Sequence, residues 1–326
     1  MRERVATRLA DLGATVEAKR DPDFALLLVS VLSAYANEAA AVVAGGAAVA
    51  TNTRTEAPTA PQQQETAVQR RDRALECLIA DCTTKPRASA APRFFIASGD
   101  VRDVRADFVR DTSVAAPVVL NAPATEHFQL VDYPAATQAY ILLAQVLPPA
   151  VAQDPLAAHL VVSYIFRQRL MENLRTSKGW SYEVYPFGIE ARRGAALARF
   201  NIPVQTGKTA ESVREIRNEI ARLQNEPITA AELGGVRGYL EANLTGGLMS
   251  LEQMNAQLLE LARNGLPSDY YATAVRRLAA FTPSEVQATA RELFTPDRLI
   301  WIIAGPRAEL ESELRELRVV EVHSVQ

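Results

Sequence analysis

The chain has 326 residues, 48% hydrophobic and 22% charged, the balance of an ordinary globular protein long enough for two domains. A formal net charge of -3 with an isoelectric point near 5.8 gives no overall support for a nucleic-acid partner, which needs a basic patch. Abundant alanine favours helices.

Residues 1–20 read as a helix closed by Gly13, then the start of a strand over Thr15–Ala18. Phe24–Val43 reads as one long apolar helix or a pair of helices, terminated by Gly45 and Gly46. The run from Phe24 to Val31 is too short to span a bilayer. The N-terminus lacks the apolar core of a signal peptide. A cytoplasmic location is therefore expected if the start is complete, and a periplasmic one if a leader precedes it.

Residues 50–66, ATNTRTEAPTAPQQQET, have no apolar period and read as an exposed, flexible segment. A helix is expected over Gln69–Ile79, a loop over Lys85–Ala91, and a buried strand at Arg93–Ser98 ending in Gly99-Asp100. A short helix follows at Val101–Val109. Cys77 and Cys82 have no histidine nearby and make poor zinc ligands. Free or structural thiols are the preferred reading, and a disulfide is the alternative. Residues 1–110 are thus expected to form a first domain, 111–125 an Ala-, Pro- and Thr-rich linker, and 126–326 a second domain.

The second domain opens with an edge-like strand, Phe128–Tyr133, stopped by Pro134, and a central strand over Thr137–Val146. Asp154-Pro155 has the form of a helix start, with Asp as cap and Pro at the first helical position, for a helix running to about Thr176. Lys178 and Gly179 stop it. Two strands, Ser181–Ile189 and Ala195–Val204, follow as a hairpin, with Gly188 and Gly194 as bending points. Val213, Ile216, Ile220 and Leu223 lie on one face of a helix over Lys208–Leu223. Thr229 and Glu232 form a capping box for a helix to about Leu244, broken at Gly246-Gly247. Helices at Leu251–Arg263 and Pro267–Ala280 come next. Thr282-Pro283-Ser284-Glu285 joins a cap, a first-position Pro and a second capping box for a helix to Phe294. Leu299–Ala304 is a last buried strand, followed by a charged helix, Arg307–Leu317. RFFIASGDVRDVRADF at Arg93 echoes RLIWIIAGPRAELESEL at Arg298, which suggests two copies of one domain, with chance convergence as the rival reading.

The chemistry legible in the chain is sparse. Its three histidines, His127, His159 and His323, stand far apart in sequence, so local spacing assembles no metal site. No Gly-rich phosphate loop follows a strand, Ser181 is not in a nucleophile elbow, and the cysteines lack an adjacent base. What remains is Arg175 and Tyr182, flanking the turn at Gly179. Arg offers a rigid fork of donors under permanent charge, and Tyr a hydroxyl that can donate to a carbonyl oxygen. The plain alternative is that Arg175 caps its helix and Tyr182 is an ordinary strand residue.

LRTSKGWSYEVY, with its flanks, resembles the second-domain motif of the pitrilysin/insulinase-like zinc peptidases, the M16 family, whose mitochondrial relatives are the processing peptidase and the bc1 core proteins. The likeness covers most of residues 121–310, including TAESVREIRNEIARLQNEPITAAELGGVRGYL, the PSDYY step at Pro267 and FTPSEVQATARELFTPDRLIWIIAG. It implies an α+β fold of duplicated LuxS/MPP-like domains, each a mainly antiparallel sheet with helices packed on one side, the first copy truncated. It also implies that Arg175 and Tyr182 match the Arg/Tyr pair that such proteins set against a peptide near the zinc. The HxxEH zinc motif of the family is absent. The resemblance therefore implies a non-catalytic, peptide-binding subunit with no cofactor of its own. Zinc is expected on an HxxEH-bearing partner, with an unfolded peptide as substrate and no transmembrane segment. The alternative is a structural or degenerate homologue with no role in proteolysis.

Overall fold

A computed structural model describes residues 2–21, 24–50, 66–80, 119–149, 151, 154, 158–192, 194–246, 250–317 and 321–323. The chain divides into two compact units, residues 1–62, 84–116 and 247–262, and residues 63–83, 117–246 and 263–326. The expected strand at Arg93–Ser98, the helix at Val101–Val109 and nearly all of the segment 50–66 lie outside the described residues, as does the first half of the internal echo.

In the first unit a helix, Arg2–Asp11, ends where Gly13 adopts φ +68°. The N–H groups of Gly13 and Ala14 donate to the carbonyls of Ala10 and Leu9 at 2.8 and 2.9 Å, which satisfies the last carbonyls of the helix. Strands β1 (Thr15–Asp21) and β2 (Phe24–Ser30) then pair antiparallel, Thr15 opposite Ser30. The expected helix from Phe24 is therefore corrected to a strand. A short unbroken apolar run carries no period that separates strand from helix, and pairing with β1 decides it. The following helix, Ala36–Ala50, runs through Gly45 and Gly46 rather than stopping there. Glycine weakens a helix interior but retains its N–H donor, so the ladder continues. Leu9, Ala39 and Val42 form the small core.

The second unit is built on a six-stranded mixed sheet of order β5-β6-β4-β7-β3-β8. Its strands are β3 (His127–Asp132), β4 (Ala139–Leu147), β5 (Tyr185–Arg192), β6 (Ala195–Val204), β7 (Ile300–Gly305) and β8 (Glu321–His323). The pairs β5-β6, β6-β4 and β4-β7 are antiparallel, whereas β3 pairs parallel with both β7 and β8. The strand expected to be edge-like, β3, is thus interior, because the short C-terminal β8 covers its free side.

Side chains alternate across this sheet as the pleat requires. Ile141, Leu143, Phe200, Ile202, Trp301 and Ile303 face one core, which receives the helices Ala158–Leu170, Thr209–Asn225, Ala230–Gly246, Tyr270–Ala280, Pro283–Leu293 and Arg307–Leu314. Phe166, Phe200 and Phe294 meet at its centre with ring centroids 4.7–5.7 Å apart. Leu142, Ala144, Leu197, Ile300 and Ile302 face the other side, where Ala74, Leu75 and Ile79 of the helix Ala67–Ile79 pack. Sequence order groups that helix with the first domain. Its apolar stripe instead covers the second face of the second unit's sheet. The helix opens with a capping box between Thr66 and Gln69 and ends near Cys77, which is disulfide-bonded. The preference for a free thiol at Cys77 is thereby corrected. The chain's other cysteine, Cys82, lies outside the described residues. Among the described residues no helix is long and apolar enough to cross a membrane.

Candidate functional site

The helix Ala158–Leu170 does not continue to Thr176 as a regular α-helix. It widens at Met171–Ser177 into a π-type turn, a rare geometry that recurs at functional sites. Leu174, fully buried, is its anchor. The Leu174 carbonyl accepts two N–H groups, from Trp180 at 2.8 Å and Ser181 at 3.2 Å. Lys178 caps the turn and Gly179, at φ +68°, reverses the chain. A side chain at Gly179 would meet nothing within 4 Å, so backbone conformation, not space, selects glycine there.

The far side of the turn is stitched to the sheet. Ser181 Oγ donates to the Pro203 carbonyl at 2.6 Å, and Gln205 N–H donates to the Trp180 carbonyl at 2.8 Å. Arg167 Nε donates to the Val184 carbonyl at 3.0 Å. Tyr182 sits in a bend before β5 starts at Tyr185, rather than in the strand expected for it. With both neighbours held, the Tyr182 ring stands out at 77% exposure. Arg175, also exposed, lies with its guanidinium carbon 5.0 Å from the centroid of that ring, within the range of a cation–π contact. The two residues singled out from sequence are thus side by side at the surface.

The charges around them are unequal in their commitments. Lys178 is 3.3 Å from Glu215, and Lys208 is 3.0 Å from Glu211. Both ammonium groups also lie within 6 Å of the Trp180 ring, at 5.6 and 5.3 Å. Arg175 has no carboxylate partner and no hydrogen bond among the described residues, and neither does the Tyr182 hydroxyl. A guanidinium fork and a phenol are therefore presented with their hydrogen-bonding capacity unspent, the arrangement that a carbonyl or carboxylate ligand needs.

Sequence reasoning missed the residues that hold this turn. Asn173 bridges to Glu215 and Glu219 on the helix Thr209–Asn225 and to Lys178. The available signal was Glu215 and Glu219 at i,i+4, with Glu219 beside the apolar stripe of Ile216 and Ile220, a position that demands a partner for a buried carboxylate.

Among the described residues no three His, Cys, Asp or Glu side chains converge into a metal centre. His127 lies on β3 and His159 on the helix Ala158–Leu170. Burial lowers the pKa of His159, against the smaller opposing pull of Glu292 and Asp154, so it is neutral at physiological pH. The donors described do not fit a zinc ion.

Fold and turn together define an α+β protein with no group of three metal-binding side chains among its described residues. Residues 112–240 match the family model described as the peptidase M16 inactive domain. No curated protein matches the chain. Solved structures share the fold at low identity. The peptidase M16 inactive domain from Pseudomonas fluorescens is 19% identical, with TM-score 0.65 over 93% of this chain and 83% of that one. A protease from Helicobacter pylori is 11% identical, with TM-score 0.64 over 93% and 84%. A mutant of the ferredoxin protease FusC, in complex with Arabidopsis ferredoxin, is 14% identical, with TM-score 0.62 over 93% of this chain and 38% of that chain.

Proposed function

We propose that this chain is a non-catalytic, substrate-binding subunit of a heteromeric M16-type zinc peptidase, and that Arg175 and Tyr182 are its contribution to a composite site. The observation that carries the reading is the exposed Arg175–Tyr182 pair, stacked at 5.0 Å with no other partner among the described residues. Zinc belongs, on this reading, to an HxxEH-bearing partner. The part of this chain is to hold the peptide. Arg175 donates from a fixed fork to a backbone carbonyl or side-chain carboxylate, and Tyr182 donates its O–H to the oxygen on which negative charge develops. Protein binding within this fold has a precedent in the FusC complex with Arabidopsis ferredoxin.

The test is co-expression with an HxxEH-bearing M16 homologue and a peptidase assay of each subunit alone and mixed. Arg175→Ala and Tyr182→Phe should each lower turnover of the mixed complex roughly ten- to a hundredfold while the two chains still co-purify. Full turnover by both variants in a verified complex would sink the role and leave a structural homologue.

A further inference from the structure

We propose that Asn173 is a positioning residue that sets the Arg175–Tyr182 geometry by clamping the π-type turn to the helix Thr209–Asn225. The inference rests on the functional reading above for its consequence in turnover, but its structural content stands apart from it.

Asn173 lies two residues before Arg175, inside the turn Met171–Ser177. Both ends of its side-chain amide are engaged. Nδ2 has two N–H groups, and they go to Glu215 Oε2 at 3.0 Å and Glu219 Oε1 at 2.7 Å. Oδ1 accepts from Lys178 Nζ at 2.7 Å. The reversed amide would set its oxygen against two carboxylates and its nitrogen against an ammonium, so the partners dictate the orientation. The main chain of Asn173 is tied down too, its carbonyl accepting the Lys178 N–H at 3.2 Å.

The clamp reaches both ends of the segment that matters. Lys178, fixed by Asn173 and Glu215, is the residue that closes the turn before Gly179. Glu219 is 1% exposed and shared with Arg222, at 2.8 Å, so it is a rigid support rather than a mobile surface carboxylate. A π-type turn is rare beside the α-turn, and here outside contacts from Glu215 and Glu219 hold it. Without the clamp the local optimum is a regular α-helix, whose side chains advance about 100° per residue rather than by the smaller step of the wider turn, so Arg175 is turned relative to Tyr182.

Two variants separate this role from general packing. Asn173→Asp places a third carboxylate against Glu215 and Glu219, and Asn173→Ala removes the clamp without adding charge. The direct readout is the ring-current displacement of the Arg175 side-chain N–H resonance in isolated, 15N-arginine-labelled protein, with Tyr182→Leu as the reference that has no ring. Both Asn173 variants, shown folded by circular dichroism, should lose the displacement. In the mixed complex both should lower kcat roughly tenfold, with no further loss when combined with Arg175→Ala. Should Asn173→Asp fail to fold, Asn173→Ala decides alone. Retention of the ring-current displacement in a folded Asn173→Ala variant overturns the inference. Loss of the displacement, combined with full turnover by Arg175→Ala and Tyr182→Phe, keeps the clamp and overturns the functional reading instead.

Discussion

Glu313 closes the N-terminus of the helix that begins at Thr209. One carboxylate oxygen accepts the Thr209 N–H at 2.8 Å and the other accepts the Gly207 N–H at 2.8 Å. The helix has no side-chain cap of its own at Lys208. A carboxylate from the C-terminal helix Arg307–Leu314 therefore satisfies N–H groups that would otherwise be orphaned, and does so at the positive end of the helix dipole. Glu313→Ala should destabilise the protein by about 1 kcal/mol. A lower urea midpoint with unchanged slope would show it, and an unchanged midpoint would mean that water replaces the cap at no cost.

Asp154 ties the chain before the helix Ala158–Leu170 to the helix Tyr270–Ala280. Its Oδ1 accepts from the Tyr270 hydroxyl at 2.7 Å and from Arg277 Nη2 at 2.8 Å, and Arg277 Nη1 reaches Oδ2. The pair is about one-third exposed, which screens its charge, but the Tyr270 side chain is buried beside it. Asp154→Ala should cost about 1 kcal/mol. Asp154→Asn should cost less, because the amide oxygen still accepts from Tyr270. Equal melting temperatures for the two variants would refute that ordering.

Acid should weaken the helix starts. Burial acts to raise the Glu232 pKa, yet hydrogen bonds from Arg169 and Thr229 together outweigh it and hold the group below the ordinary value of 4.5. A folded pKa below the unfolded one means stabilisation that is complete above 4.5 and disappears as pH falls through the lower folded value. Glu285, bonded to Thr282 in the other capping box, is lowered in the same direction. Glu232→Gln should therefore lose the acid-dependent part of the wild-type stability curve. Denaturation midpoints measured from neutral pH down past the glutamate range provide the comparison, and parallel curves for the two proteins would contradict the assignment.

Two glycines should respond differently to alanine. Gly179 and Gly188 both adopt the left-handed conformation, at φ +68° and +62°. A Cβ at Gly179 meets open space, whereas one at Gly188 comes within 3.2 Å of Leu160 Cδ1. Gly179→Ala should cost about 1 kcal/mol from backbone alone, and Gly188→Ala more, since Leu160 must also shift. Equal midpoints in denaturant would mean that Leu160 gives way freely.

A thiol assay on the native, unreduced protein should find Cys77 blocked. Modification by a thiol reagent without prior reduction would argue against the disulfide.

Much of the second unit was legible because its signals are local. The capping boxes at Thr229 and Thr282 form as their spacing requires. Val213, Ile216, Ile220 and Leu223 are all buried on the face that their period predicts. The turn at Gly179 between Arg175 and Tyr182 was visible too. Where the reading failed, the misread stretch carried no signal of its own strong enough to decide it. Phe24–Ser30 became a strand because β1 pairs with it, and Gly45-Gly46 did not stop a helix.

The sequence by itself determined the helix boundaries set by caps and the absence of HxxEH, because each depends on residues within a few positions of one another, while the α+β class came as what the resemblance of LRTSKGWSYEVY and its flanks implies. Tertiary structure alone decided that β8 covers β3, that the helix Ala67–Ile79 seals the second face of the sheet, and that Asn173 meets Glu215 and Glu219 across more than forty residues of chain. Those contacts answer needs that no local rule can address: an unpaired strand edge, an uncovered apolar face and a buried carboxylate each require whichever partner the fold brings near.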